Sequence, residues 1–178
     1  NLIQTVSQVL QTGVTYVVLP EDARLSTSFD SPEAVLAFMY AFGGDNVVLV
    51  DAGIEDNGDG TFLGRADIYD TSDTSHSTQY KEYLVPTGEY LPGLHSKVLR
   101  LLGFGYAIDT FQNMYNYVPG TNKEAYTGRT PGVLFCFDSV SPYMLKNLAK
   151  KTEATLTVHI VKQYWLKAKK QMKNILKQ

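Results

Sequence analysis

Thiols, hydroxyls, carboxylates and imidazoles attack carbonyl carbons and carry protons, and in this chain the rarer of them can be weighed singly. There is one cysteine, Cys136, and there are three histidines, His76, His95 and His159. Nucleophilic catalysis needs a thiolate or alkoxide beside a base. Cys136 falls inside the apolar run Val133-Leu134-Phe135-Cys136-Phe137, which reads as a buried central strand, and a thiol in apolar surroundings stays protonated and inert. Asp138 and Ser139 close that run, and strand ends expose side chains. With a histidine such as His95 they are the candidates for a hydrolytic centre, although no Gly-x-Ser-x-Gly elbow surrounds Ser139.

Metal and nucleotide chemistry find less. The acidic stretch Glu55-Asp56-Asn57-Gly58-Asp59-Gly60 crowds oxygen ligands as calcium requires, but in an EF-hand register the bidentate carboxylate of position twelve falls on Ala66. It reads as a solvated hairpin turn. Zinc needs three or four close ligands, whereas the histidines stand 19 and 64 residues apart and no second cysteine exists. No Walker sequence or dinucleotide fingerprint is present, so neither a metal nor a cofactor is expected.

Two stretches suggest binding. Aromatic and amide side chains crowd residues 104–126, where Tyr115, Tyr117 and Tyr126 offer flat apolar faces with hydrogen-bonding edges. Further on, Lys162, Lys167, Lys169, Lys170 and Lys173 lie mostly off an apolar stripe that includes Trp165 and Met172, as on a basic amphipathic helix. From Lys146 onward nine lysines face one acidic residue, a net charge of +8, while the preceding 145 residues carry seven basic and seventeen acidic residues, a net of -10. Such a split suggests an acidic protein surface or like copies as partner. Nucleic-acid contact is the lesser alternative and would be to phosphates, because lysine without arginine lacks the guanidinium fork that reads bases.

The elements that must position these residues follow from periodicity and breakers. Leu2, Ile3, Val6, Val9 and Leu10 give a helix, and Val14 to Leu19 a strand stopped by Pro20. Ser31-Pro32-Glu33 starts a helix that should end at Gly43-Gly44. Val47 to Val50 reads as a strand, followed by a hairpin turning through residues 55–60. Thr71 to Thr78, rich in hydroxyls, reads as a solvated loop or helix entry. Leu94 to Leu102 and the segment after Phe104 are helical, and Ser141-Pro142 opens another helix. Ala154 to Ile160 alternates as a strand before the basic helix, with one long helix from Ser141 as the competing reading.

These elements predict a single α+β domain over 1–178, with a mixed or antiparallel central sheet flanked by helices, an acidic body over 1–145 and a basic segment over 146–178. No 18-residue apolar run exists, so the chain reads as soluble. A start at Asn1 suggests processing, which leaves the compartment open. The leading functional expectation is a non-catalytic assembly or protein-interaction domain, such as a structural subunit of a virion or secreted complex, docking through the basic helix. The alternatives are a hydrolase with a strand-end site near Asp138 and Ser139, and a ligand-binding module built on residues 104–126.

Overall fold

Asn1 opens the first helix by accepting the Ile3 amide on its side-chain oxygen at 3.2 Å. That helix, α1 (Leu2–Leu10), turns Val6 and Leu10 inward. The computed structural model describes residues 1–86, 89–114, 116–122, 128–136, 138–151 and 156–160. Strand β1 (Tyr16–Val18) follows, and then α2 (Pro32–Gly43), with Ser31 capping the Ala34 amide, Pro32 in its first turn and Gly44 at a φ of 82° past its end. Both helix termini lie where cap, proline and glycine chemistry places them.

Strand β2 (Val48–Asp56) runs parallel to β1 and pairs antiparallel with β3 (Phe62–Asp70), which pairs antiparallel with β4 (Ser75–Tyr80). The order is β1-β2-β3-β4. In the β2–β3 turn the acidic side chains bind their own backbone, Asp56 accepting the Gly58 amide and Asp59 the Thr61 amide. Among the described residues no carboxylate, histidine or cysteine cluster is arranged to hold a metal ion.

A second, two-stranded sheet joins β5 (Gly132–Phe135) in parallel to β6 (Thr157–Ile160). Between these strands α5 (Pro142–Lys151) packs Leu148 on the outer side of β5, against Leu134. Successive side chains of a strand point to opposite faces, so β2 builds two cores. Leu49, with Val47 just before the strand, meets α1 and α2 through Leu10, Val35 and Met39. Val48, Val50 and Ala52, with Ala66 and Ile68 of β3, meet Val133, Phe135, Val158 and Ile160 of the second sheet. The layers run helix, sheet, sheet, helix. Helices α3 (Gly93–Leu101) and α4 (Gly105–Met114) leave Leu94, Leu101 and Tyr106 largely exposed. Among the described residues no helix is long and apolar enough to cross a membrane.

The α+β expectation holds, with the single central sheet resolved into two facing ones. Two local readings change. Residues 75–80 form a strand rather than a loop, because the Thr78 hydroxyl and the His76 imidazole meet the buried Asp67 of β3. The run 133–137 ends as strand at Phe135, so Cys136 sits in the turn beyond it, half-buried rather than mid-strand. The residue 157–160 strand favours the alternation reading of that segment. The basic helix, with Lys162, Lys167, Lys169, Lys170 and Lys173, lies outside the described residues.

Gly132 locks β5 to α5, since a Cβ there would stand 2.7 to 2.9 Å from three carbons of Leu148. Gly132→Ala is expected to cost about 1–3 kcal/mol as an overpacked contact. Urea unfolding reads it, and an unchanged midpoint would mean that α5 yields freely.

Candidate functional site

Strand β4 continues one residue past its regular end. Tyr80 pairs with Arg65, and the next amide, that of Lys81, donates to the Gly64 carbonyl at 2.8 Å. Alternation then puts Gln79 and Lys81 on the face that carries Ala66 and Ile68, toward the second sheet, and His76, Thr78 and Tyr80 on the helix-covered face. Lys81 is only 2% exposed. A buried ammonium is costly unless paired. Its Nζ is paired with Glu89 Oε1, and Glu89 Oε2 in turn accepts the Val85 amide at 2.8 Å. Glycine at 64 makes room, because a Cβ there would lie 3.2 Å from that of Lys81.

Asp138 stands two residues beyond Cys136 and is 1% exposed. Its Oδ1 accepts the Tyr83 amide at 2.9 Å and its Oδ2 the Phe135 amide at 3.3 Å. One carboxylate therefore joins the segment after Lys81 to the strand end before Cys136. Burial pushes its pKa up to about 6 against the pull of those two amides and of the nearby Lys81 charge. Before the site, the Gln79 amide spans the same two chains, with Nε2 donating to the Pro131 carbonyl and Oε1 accepting the Val133 amide, both at 2.8 Å.

These contacts order the strand ends. Residues 79 and 83 meet residues 131–133 and 138 in turn, so β4 and β5 run in the same direction. Since β1 and β2 run as β4 does, Glu21 after β1, Lys81 after β4 and Cys136 after β5 come to one rim of the two sheets. One carboxylate oxygen of Glu21 is withdrawn from solvent. Glu82 and Tyr90, the sequence neighbours of Lys81 and Glu89, wall a recess of about 320 Å³ together with Tyr83, Leu84, Tyr117 and Pro119. Such a set is equipped for acyl transfer: a thiol, a fixed cation and carboxylates on a half-buried rim.

Of the residues singled out from sequence, the structure brings Asp138 into this site, places Tyr117 in the wall of the recess, and leaves His95 exposed on α3. Ser139 lies in a short 3₁₀ turn over Asp138–Val140. Tyr115 and Tyr126 are outside the described residues. His76 faces the helix layer, where its Nε2 lies 3.3 Å from Asp67 and its ring stacks on Tyr69. His159 is exposed on β6. Sequence reasoning missed Glu21, Gln79, Lys81 and Glu89. The available signal was slight: a lysine in period-two register with Gln79, ahead of the apolar Leu84-Val85-Pro86.

No protein-family model matches the chain, and no curated protein sequence matches it significantly. Solved structures do. An amidase of the nitrilase superfamily from Nesterenkonia AN1, in a cysteine-to-alanine mutant, superposes with a TM-score of 0.52 at 16% identity, covering 89% of this chain and 58% of the amidase. A carbon-nitrogen hydrolase from Helicobacter pylori G27 gives a TM-score of 0.54 at 16% identity, covering 89% of this chain and 53% of that one. A glutamate-to-glutamine mutant of the Nesterenkonia amidase, with acrylamide added at its active-site cysteine, gives 0.52 and the same 16%. The chain thus spans little more than half the length of these proteins and shares their fold. That fold corrects the expectation of a non-catalytic structural or assembly subunit of a virion or secreted complex, which rested on composition and charge alone: the neighbours that share it are hydrolases.

Asp138 has a pH signature. A carboxyl whose folded pKa is raised above its ordinary 3.8 to about 6 binds a proton more tightly in the folded state. Its contribution to stability is complete below pH 4 and is lost as pH rises through 6. Over that window the stability advantage of the native chain over Asp138→Asn should fall, by up to about 3 kcal/mol at 1.36 kcal/mol per pKa unit. Urea unfolding of both from pH 4 to pH 7 measures it, and a constant difference would contradict the raised pKa.

Proposed function

We propose that the chain carries the catalytic rim of a cysteine hydrolase acting on carbon-nitrogen bonds of the amide type. The observation that carries this reading is Lys81: a lysine buried between two sheets, held by Glu89, and tied through Asp138 to the strand end that presents the chain's single cysteine. A buried ion pair is expensive to keep as packing alone, and perturbed carboxyls beside a nucleophile gather at functional sites. The fold shared with amidases, one of them solved with acrylamide on its active-site cysteine, supports the same reading.

In this mechanism the Cys136 sulfur attacks the amide carbonyl carbon, giving up its proton to a carboxylate. Glu21 takes that role, because it follows β1 at the strand ends where Lys81 and Cys136 also lie. The Lys81 ammonium stabilises negative charge as it develops on the carbonyl oxygen, where a preorganised cation in a water-poor site is most effective. As the carbon-nitrogen bond breaks, the amine leaves with the proton from the carboxylic acid, and a thioester to Cys136 remains. Water, deprotonated by the same carboxylate, adds to the thioester carbon; the acid departs and the thiol is restored. The recess walled by Glu82, Tyr83 and Tyr90 receives a substituent of the substrate. The second sequence reading, a hydrolase site at the end of β5, is kept with its nucleophile moved from Ser139 to Cys136.

Ammonia release from acetamide, propionamide and benzamide tests the proposal, together with the rate of Cys136 alkylation by iodoacetamide. Cys136→Ala should abolish turnover, and Lys81→Met should lower kcat by about 10²–10³, the loss seen when one oxyanion-stabilising group is removed. Native Cys136 should be alkylated faster than free glutathione at pH 7. Turnover surviving in Cys136→Ala, or labelling only after denaturant, would refute the reading.

A further inference from the structure

A buried glutamine is the second polar group on the inward face of β4. Gln79 is 1% exposed and lies two residues before Lys81. It makes no hydrogen bond within its own sheet through its side chain; both ends of its amide reach β5, to the Pro131 carbonyl and the Val133 amide at 2.8 Å each. These two groups are the acceptor at i and the donor at i+2 on one side of a strand, which a neighbouring strand would ordinarily satisfy. Among the described residues no strand takes that place, and Gln79 supplies these hydrogen bonds from the other sheet.

Elsewhere the two sheets meet through Val48, Val50, Ile68, Val133, Phe135 and other apolar side chains, and apolar contact is non-directional. It permits sliding that a two-ended amide does not. From the fixed point at Val133, two strand residues lead to Phe135 and the next is Cys136; from Gln79, two residues lead to Lys81. We infer that Gln79 is a positioning residue that sets the register of the cysteine-bearing strand on the lysine-bearing one, and so the separation of Cys136 from Lys81. This rests on the proposed roles of those two residues. Asp138 fixes the far side of the same pair, so the two side chains bracket it.

Two substitutions separate positioning from packing. Gln79→Met keeps the volume and removes both hydrogen bonds. Gln79→Glu keeps the shape and the bond from Val133, but an ionised carboxylate faces the Pro131 carbonyl with no proton to donate; protonated, it restores that bond. The rates of Cys136 alkylation by iodoacetamide and of amide hydrolysis are followed from pH 5 to pH 8 in the native chain, both variants and Cys136→Ala. Near pH 8 both variants should fall about 10- to 100-fold in kcat with KM little changed, the scale of a misplacement near 1 Å, and the alkylation rate should fall with them. As pH drops toward 5, Gln79→Glu should recover toward the native rate while Gln79→Met should not. A Gln79→Glu profile parallel to the native one, or native alkylation rates in Gln79→Met, overturns the inference. The failure of the amidase reading is distinct: it shows as turnover surviving in Cys136→Ala, and the alkylation profile still decides the role of Gln79.

Discussion

An ammonium ion between two sheets, away from water, has to be met by an anion, and much of the rim is arranged around that requirement. Lys81 lies where β4 would otherwise present an apolar side chain. Pairing it with Glu89 requires the chain to fold back after Val85, and the Glu89 carboxylate also holds the Val85 amide that would be stranded by the turn. Asn122 extends the arrangement outward. Its side chain exchanges two hydrogen bonds of 2.7 Å with the Tyr80 backbone, imitating a further strand, and its amides meet Glu82. An exposed edge strand invites pairing with other chains, and here the edge beside the site is occupied by the molecule's own loop.

The same sheet keeps Asp51 and Asp67 on the opposite face. Asp51 takes the Leu25 and Ser26 amides at 3.0 and 2.7 Å and so anchors the 3₁₀ turn Leu25–Ser28 that precedes α2. Burial opposes ionisation of Asp67, but hydrogen bonds from His76 and Thr78 and the charge of Arg65 outweigh it and hold that carboxyl below the ordinary range. Shifting a strand by one residue would carry these acids into the apolar gap between the sheets and turn Val50 and Ile68 out of it. Register is thereby strongly specified, and with it the place of Gln79 and Lys81.

What was legible in the sequence was what local chemistry decides. Ser31-Pro32 and Gly43-Gly44 bound α2, the acidic turn closes a hairpin on its own backbone, and Asp138 was drawn out because it ends an apolar run. What was not legible depends on partners distant in the chain. Residues 75–80 look like a loop because they are polar, yet they are polar because Asp67 and Arg65 lie opposite. Lys81 and Glu89 carry no local mark of pairing. Cys136 was assigned to the core from its apolar neighbours, whereas the strand stops one residue short of it when the Phe135 amide turns to Asp138. The charge split between the two parts of the chain is a feature of composition, and it gave no access to the contacts of Lys81 and Asp138.

Asp138 shows how stability and arrangement oppose each other at this rim. A buried carboxyl with its pKa pushed up to about 6 is ionised at neutral pH against the preference of its surroundings, and the folded state is less stable for it. An apolar side chain of similar size would avoid that cost. It would also leave the buried Phe135 amide without an acceptor, at a cost of about 1–3 kcal/mol, and the half-buried Tyr83 amide without its partner. The carboxylate is thus retained by the backbone on both sides of it, and the backbone it retains is the pair of segments that present Lys81 and Cys136. The two apolar cores outweigh that cost, since local strain persists only where the surrounding structure over-determines it.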